Sequence, residues 1–266
     1  MSRPNRADVW DNGESYEAYV GRWSRPVGRE FVPWLAVPAG SRWLDAGCGT
    51  GELTRAILEV ADPVAVVGAD PSASYAGFAK QRTPDRRASF GVGDAQALPF
   101  ETASFDSSVS GLVLNFVPDV ARAVSELARV TRRGGTIGSY VWDYAGKMEL
   151  IRYFFDAAVA LDPAARDLDE GNRFPVCNPD GLTALFAEAG LRGIATRPID
   201  VPTRFTDFDD YWSPFLGGQG SAPGYAMSLA EDSRGALRER IRAALPTAAD
   251  GSITLVARAW AIQGRR

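Results

Sequence analysis

The sequence predicts an α/β fold built on a doubly wound, mostly parallel sheet. Three observations carry that reading. Residues 43–51 read W-L-D-A-G-C-G-T-G, an apolar run closed by an acidic residue and then a glycine turn. Leu53, Ala56, Ile57 and Val60 follow at helical spacing, so the unit reads as strand, turn, helix. Further apolar runs at 64–69, 88–92, 109–114 and 136–142 are separated by helix-patterned or turn-rich segments, the rhythm of a parallel sheet.

The glycines at Gly47, Gly49 and Gly51 let the backbone approach a ligand that side chains would exclude. A dinucleotide site wants G-x-G-x-x-G, with a pyrophosphate on the helix N-terminus; here the third glycine position is Glu52. Charge repulsion at that point argues against NAD. The second run, V-A-V-V-G-A, stops at Asp70, whose carboxylate can accept hydrogen bonds from both hydroxyls of a ribose. Pro71 and Ser72 after it also suit the cap of a following helix. The third run ends in G-D-A-Q-A-L-P-F, from Gly93 to Phe100. The fourth reads F-D-S-S-V-S-G-L-V-L, and Pro118 and Asp119 then suit the first turn of a helix running to about Arg129. Val120, Val124, Leu127 and Val130 form its apolar stripe, and Arg132-Arg133-Gly134-Gly135 turns the chain into a fifth strand, 136–142.

In this order, Asp45 with its glycine turn, Asp70, and the G-D-A-x-x-L-P-F segment resemble the motifs of class I S-adenosylmethionine (SAM)-dependent methyltransferases. The resemblance spans roughly residues 40–145 and is nearest to the ubiquinone-biosynthesis-like group of small-molecule enzymes. It implies a Rossmann-like seven-stranded sheet whose last strand inserts antiparallel beside strand five. It also implies SAM as cofactor, S-adenosylhomocysteine (SAH) as product, and no metal. The cofactor residues it implies are Asp45, Gly47, Cys48, Gly49 and Gly51 in the turn, and Asp70, Pro71 and Ser72 at the ribose. Gly93, Asp94, Ala95 and Gln96 would meet the adenine, and Ser110 and Gly111 would face the methyl donor. Two departures stand out. The turn before strand five carries Arg-Arg-Gly-Gly where relatives often have Lys-Pro-Gly-Gly, and Asn115 stands where many relatives place histidine.

The expected organisation is a helical lid at 1–40, a SAM-binding core at 41–145, and cap helices plus the last two strands at 146–266, all in one structural domain. Tyr16, Tyr19 and Trp23 recur at helical spacing. They resemble a lid whose aromatics close over the sulfonium, with Arg22 meeting the methionyl carboxylate; an amphipathic helix packed on the core reads equally well. Helices are expected at 146–161, 180–189 and 229–245, and strands at 192–201 and 252–262. The segment F-T-D-F-D-D-Y-W-S-P-F-L-G-G-Q-G at 205–220 suits either an aromatic wall with a hinge or a cap helix burying its aromatics. Asn115, Trp142, Tyr144, Tyr211 and Trp212 are the candidate acceptor contacts, and the acceptor is expected to be small and at least partly apolar or aromatic.

The 266 residues suffice for such a domain, and 45% hydrophobic residues suit a globular core. A net charge of −4 disfavours a nucleic-acid partner. Two cysteines, no signal-peptide pattern and no transmembrane run make a cytoplasmic monomer or homodimer the expectation. The chain has no histidine, which removes a histidine base and a histidine-ligated metal. If the acceptor needs a base, Tyr19 and Asp143 are the candidates, with Tyr144 or an aspartate of the 207–210 cluster behind them. The alternative is an accessory or regulatory protein that binds SAM without transferring its methyl group.

Overall fold

A computed structural model describes residues 21–217 and 220–266. Helix α1 (Arg22–Trp34) leads into β1 (Arg42–Ala46), α2 (Glu52–Val60), β2 (Ala65–Asp70), α3 (Ala73–Arg82), β3 (Ala88–Val92) and β4 (Phe105–Gly111). A 3-10 turn at Leu114–Phe116 precedes α4 (Val120–Val130), β5 (Thr131–Trp142), α5 (Glu149–Leu161), α6 (Glu170–Arg173) and α7 (Pro179–Glu188). The chain ends with β6 (Arg192–Phe205), α8 (Phe208–Trp212), α9 (Ser221–Ser228), α10 (Glu231–Ala244) and β7 (Ile253–Arg265).

The strands form one seven-stranded sheet in the order β3-β2-β1-β4-β5-β7-β6. β1 pairs in parallel with β2 and β4, β2 with β3, and β4 with β5, whereas β7 runs antiparallel to β5. This is the expected Rossmann-like sheet. The order reverses between β1 and β4, and in such sheets ligands bind beyond the carboxyl ends of the strands at that point.

Two compact units divide the chain. The first comprises Trp23–Asp143, Phe174–Val201 and Ala257–Arg266. In it α4 turns Ala123, Val124, Leu127 and Val130 inward, and Asp119 caps it by accepting the Arg122 N–H at 2.9 Å. β5 starts at Thr131, five residues before the expected 136, because the Arg-Arg-Gly-Gly stretch is an irregular strand start rather than a separate turn. Its register against β4 shifts between Phe105 and Ser107. Gly134 takes φ +74°, and a Cβ on Gly135 would sit 2.6 Å from the Asp106 carbonyl oxygen.

The second unit comprises Tyr144–Arg173 and Pro202–Val256, together with Gly21 and Arg22 among the described residues. Its core is aromatic. Phe154 stacks on Phe215 with centroids 4.6 Å apart, and Phe205 meets Tyr211 edge-on at 5.3 Å. The Tyr211 hydroxyl donates to the Leu150 carbonyl at 2.8 Å. Phe205, Phe208, Tyr211, Trp212 and Phe215 are all buried, so the aromatic-dense segment packs as a cap helix, and each large ring contributes on the order of 2–3 kcal/mol by leaving water.

Candidate active site

The glycine turn joins β1 to α2. Gly47, Gly49 and Gly51 all take left-handed backbones, at φ +75°, +49° and +85°. Glycine holds such angles without strain. Gly47 is also required by packing, because a Cβ there would lie 2.6 Å from both Val113 methyl groups; the loop after β4 closes directly on the turn. A Cβ on Gly49 would meet nothing within 4 Å, so space opens beside that residue. The turn is tied to β2. Gly47 and Cys48 donate their N–H groups to the Ala69 carbonyl at 2.7 and 3.1 Å, and Gly49 donates to Asp70 Oδ2 at 3.0 Å.

Asp45 is buried beneath the turn. The Thr54 hydroxyl donates to its Oδ2 at 2.7 Å, while Oδ1 is buried with no hydrogen-bond partner. Burial pushes the Asp45 carboxyl up to about 7; the Thr54 bond opposes the rise and the charge of Asp70 adds to it. Burial raises Asp70 as well, against the N–H groups of Ser72 and Gly49 that its two oxygens accept at 2.9 and 3.0 Å. Ser72 also caps α3, accepting the Tyr75 N–H at 3.3 Å, so the ligand-facing and capping readings of this turn coexist. Asp45 thus keeps one unsatisfied buried oxygen beside the turn, which a cation or a hydrogen-bond donor would relieve. The Cys48 thiol is pushed up by burial and the two nearby carboxylates, and its Sγ lies 3.0 Å from the Cβ position of Gly68, which marks it as inert packing.

Beyond β3, Asp94 is exposed and Ala95 buried. Asp94 Oδ1 accepts the Gln96 N–H at 2.8 Å, and the Gln96 side-chain amide reaches both Asp94 oxygens at 3.2 Å. Gln96 Oε1 in turn accepts the Asp119 N–H at 3.0 Å, which ties this turn to the start of α4. Gly93 packs against Pro99, 3.0 Å from its Cβ position, while Pro71 is exposed. At the end of β4, Ser110 is buried with its hydroxyl unpartnered, and Gly111 lies flush on Tyr140, whose ring would be 2.6 Å from a Cβ.

Residues 44–138 match the family model described as a methyltransferase domain. The demethylmenaquinone methyltransferase of Roseiflexus castenholzii is 37% identical over 183 residues, covering 64% of this chain and 76% of that protein. The protein of the same name from Beutenbergia cavernae is 32% identical over 181 residues, covering 64% and 74%. The chain belongs to the class I SAM-dependent methyltransferases of the ubiquinone/menaquinone-biosynthesis type. Solved structures agree on the fold. The YcgJ protein of Bacillus subtilis superposes with a TM-score of 0.59 at 19% identity, over 92% of this chain and 98% of its own. A Haemonchus contortus phosphoethanolamine N-methyltransferase 2 in complex with SAM gives 0.57 at 17% identity, over 96% and 56%.

In this methyltransferase the remaining predicted residues fall in different places. Trp142 is buried and its indole N–H has no partner. Asp143 is buried at the end of β5, where its N–H donates to the Arg258 carbonyl at 2.9 Å. The Arg258 guanidinium grips Asp200 at 2.6 and 2.7 Å, and its affinity for protons is raised mainly by that pairing, with a smaller contribution from the charge of Asp143. A cation therefore stands near Asp143. In the second unit, Tyr144 is buried and its carbonyl accepts from Arg152 at 2.9 Å, while Tyr211 and Trp212 belong to the aromatic core. Arg22 pairs with Asp210 at 3.1 Å and lies over the Phe205 ring, 4.9 Å from its centroid. Tyr19 lies outside the described residues.

Three features went unread in the sequence. Thr54 binds Asp45 from the inner face of α2, and its spacing from Asp45 could have suggested this. Glu52 is held by Arg25 at 2.8 Å and by Arg55, so its charge at the helix N-terminus is balanced. Leu112 takes a left-handed φ of +62° immediately after β4, and no local sequence signal announces that. The second unit also carries a cleft of about 500 Å³ beside Arg152, but that guanidinium is already neutralised by Asp169, 2.8 Å from each of two nitrogens. Among the described residues no helix is long and apolar enough to cross a membrane, and no group of three or more metal-binding side chains occurs.

Proposed function

We propose that this methyltransferase methylates a small aromatic acceptor of the quinone or quinol class, with its cofactor held on the glycine turn and at the carboxyl ends of β1 to β4. The cofactor assignment rests on the unpartnered buried oxygen of Asp45, which suits an ammonium group. In this reading Asp70 accepts the ribose hydroxyls, and Asp94 with the Ala95 N–H takes the adenine edge. Bound SAM supplies a methyl group on a sulfonium, itself an excellent leaving group. The protein's work is then to align the acceptor and exclude water.

Asp143, buried at the end of β5, acts as base where the acceptor must lose a proton. No metal is assigned a role, since the chain has no histidine and its two cysteines are distant in sequence. The acceptor class is supported by the two curated relatives above, about three quarters of whose lengths this chain covers. Incubation with methyl-labelled SAM and 1,4-naphthoquinol tests it. Label in the naphthol product supports the proposal; tight SAH binding without transfer to any quinol would favour an accessory role instead.

A further inference from the structure

The loop after β4 carries a side chain that the fold leaves unsatisfied. Both polar atoms of the Asn115 carboxamide, Nδ2 and Oδ1, are buried, and neither has a hydrogen-bond partner. A buried amide with no partner at all is rare in a native protein, because it forfeits its bonds to water and gains none in return. The backbone around it is built with care. Leu112, buried and not glycine, is held at φ +62°, and its N–H donates to the Tyr140 carbonyl at 2.8 Å. Val113 fills the space above Gly47, and the 3-10 turn Leu114–Phe116 presents Asn115. Strain and an unpaired amide thus occur together, two residues from the contact with the glycine turn. Such combinations concentrate where ligands bind.

We infer that Asn115 is a specificity-determining residue for the methyl acceptor, its carboxamide kept unpaired to receive a hydroxyl-bearing ring. This rests on the acceptor class proposed above and adds a selection rule to it. Oδ1 takes the proton of a hydroxyl, and the Nδ2 protons take an oxygen lone pair, so the favoured acceptor offers both. A carboxamide does not titrate in water's pH range, so Asn115 orients the acceptor and does not deprotonate it. An acceptor whose oxygens are masked as ethers loses the bond to Oδ1 and leaves that atom buried and unpaired.

The decisive variant is Asn115→Leu, close in shape and without polar atoms. SAH-saturated wild type is expected to bind 1,4-naphthoquinol about tenfold or more tightly than 1,4-dimethoxynaphthalene, and the variant is expected to bind both about equally. Its affinity for SAH should stay within about twofold of wild type. Its melting temperature should rise by roughly 2–4 °C, because an unpaired amide is replaced by an apolar group that needs no partner. A fall in melting temperature would mean that the amide is a structural group, and an unchanged diol-to-diether ratio would mean that it does not read the acceptor. Either result overturns the inference. If wild type neither binds nor methylates the naphthoquinol, the acceptor class fails. The sign of the melting shift still decides whether Asn115 is an unpaired group held by the fold.

Discussion

At the scale of single residues, Asp45 makes the sharpest electrostatic demand. Its carboxyl is raised to about 7 by burial, against an ordinary value of 3.8 in an unfolded chain. Between those values the folded protein holds a proton that the unfolded chain has lost. The contribution of Asp45 to the stability of the free protein is therefore fully present below the lower value and is lost as pH rises through about 7. A ligand ammonium reverses the preference by stabilising the carboxylate, so SAH binding should expel the proton. Calorimetry in buffers of different ionisation heat should register release of close to one proton at about pH 6 and almost none at about pH 8.5. Asp45→Asn should abolish that dependence; its persistence would point to another group. Gly47→Ala tests the turn. A methyl 2.6 Å from the Val113 side chain, at φ +75°, should cost on the order of 2–4 kcal/mol and abolish SAH binding. Normal SAH affinity in that variant would refute the close approach.

At the scale of elements, the sequence was most legible where structure follows from local spacing. The glycine turn and most of the apolar stripe of α4 were read from residues within one or two helical turns, although Asp119, expected in the first turn, is the cap and Val120 is only half-buried. The early start of β5 was not, because a bulge opposite Phe105 depends on a partner strand that local pattern does not reveal. For the aromatic segment, local pattern offered the cap helix beside an aromatic wall, but not the bond that fixes Tyr211 to Leu150, 61 residues away in the chain. Tyr211→Phe separates structure from recognition. Loss of that buried bond should lower stability by about 1–2 kcal/mol, seen as a drop of a few degrees in melting temperature. Acceptor KM should stay unchanged if the ring only packs. A raised KM at unaltered stability would instead make Tyr211 an acceptor contact.

At the scale of the whole molecule, the order of the sheet brings Asp45, Asp70 and the glycine turn to one edge, while the end of β5 adds Trp142 and Asp143. The glycine turn and the carboxylates at the ends of β1 and β2 were readable because they sit at fixed offsets after strands. The surroundings of Asp143 and of Arg22 were not, since their partners, Arg258 and Asp210, come from distant parts of the chain. Asp143→Asn should slow methyl transfer about 10²–10⁴-fold with SAM affinity intact, as expected for loss of a base. An unchanged turnover number would remove that role. The most direct measurement is a calorimetric titration of wild type and Asp70→Ala with SAH and with NAD, alongside their melting curves. The predicted result is SAH binding by wild type, at least tenfold weaker binding by a still cooperatively folded Asp70→Ala, and no NAD binding by either. Equal SAH affinity in the two proteins would contradict the placement of the cofactor on this turn.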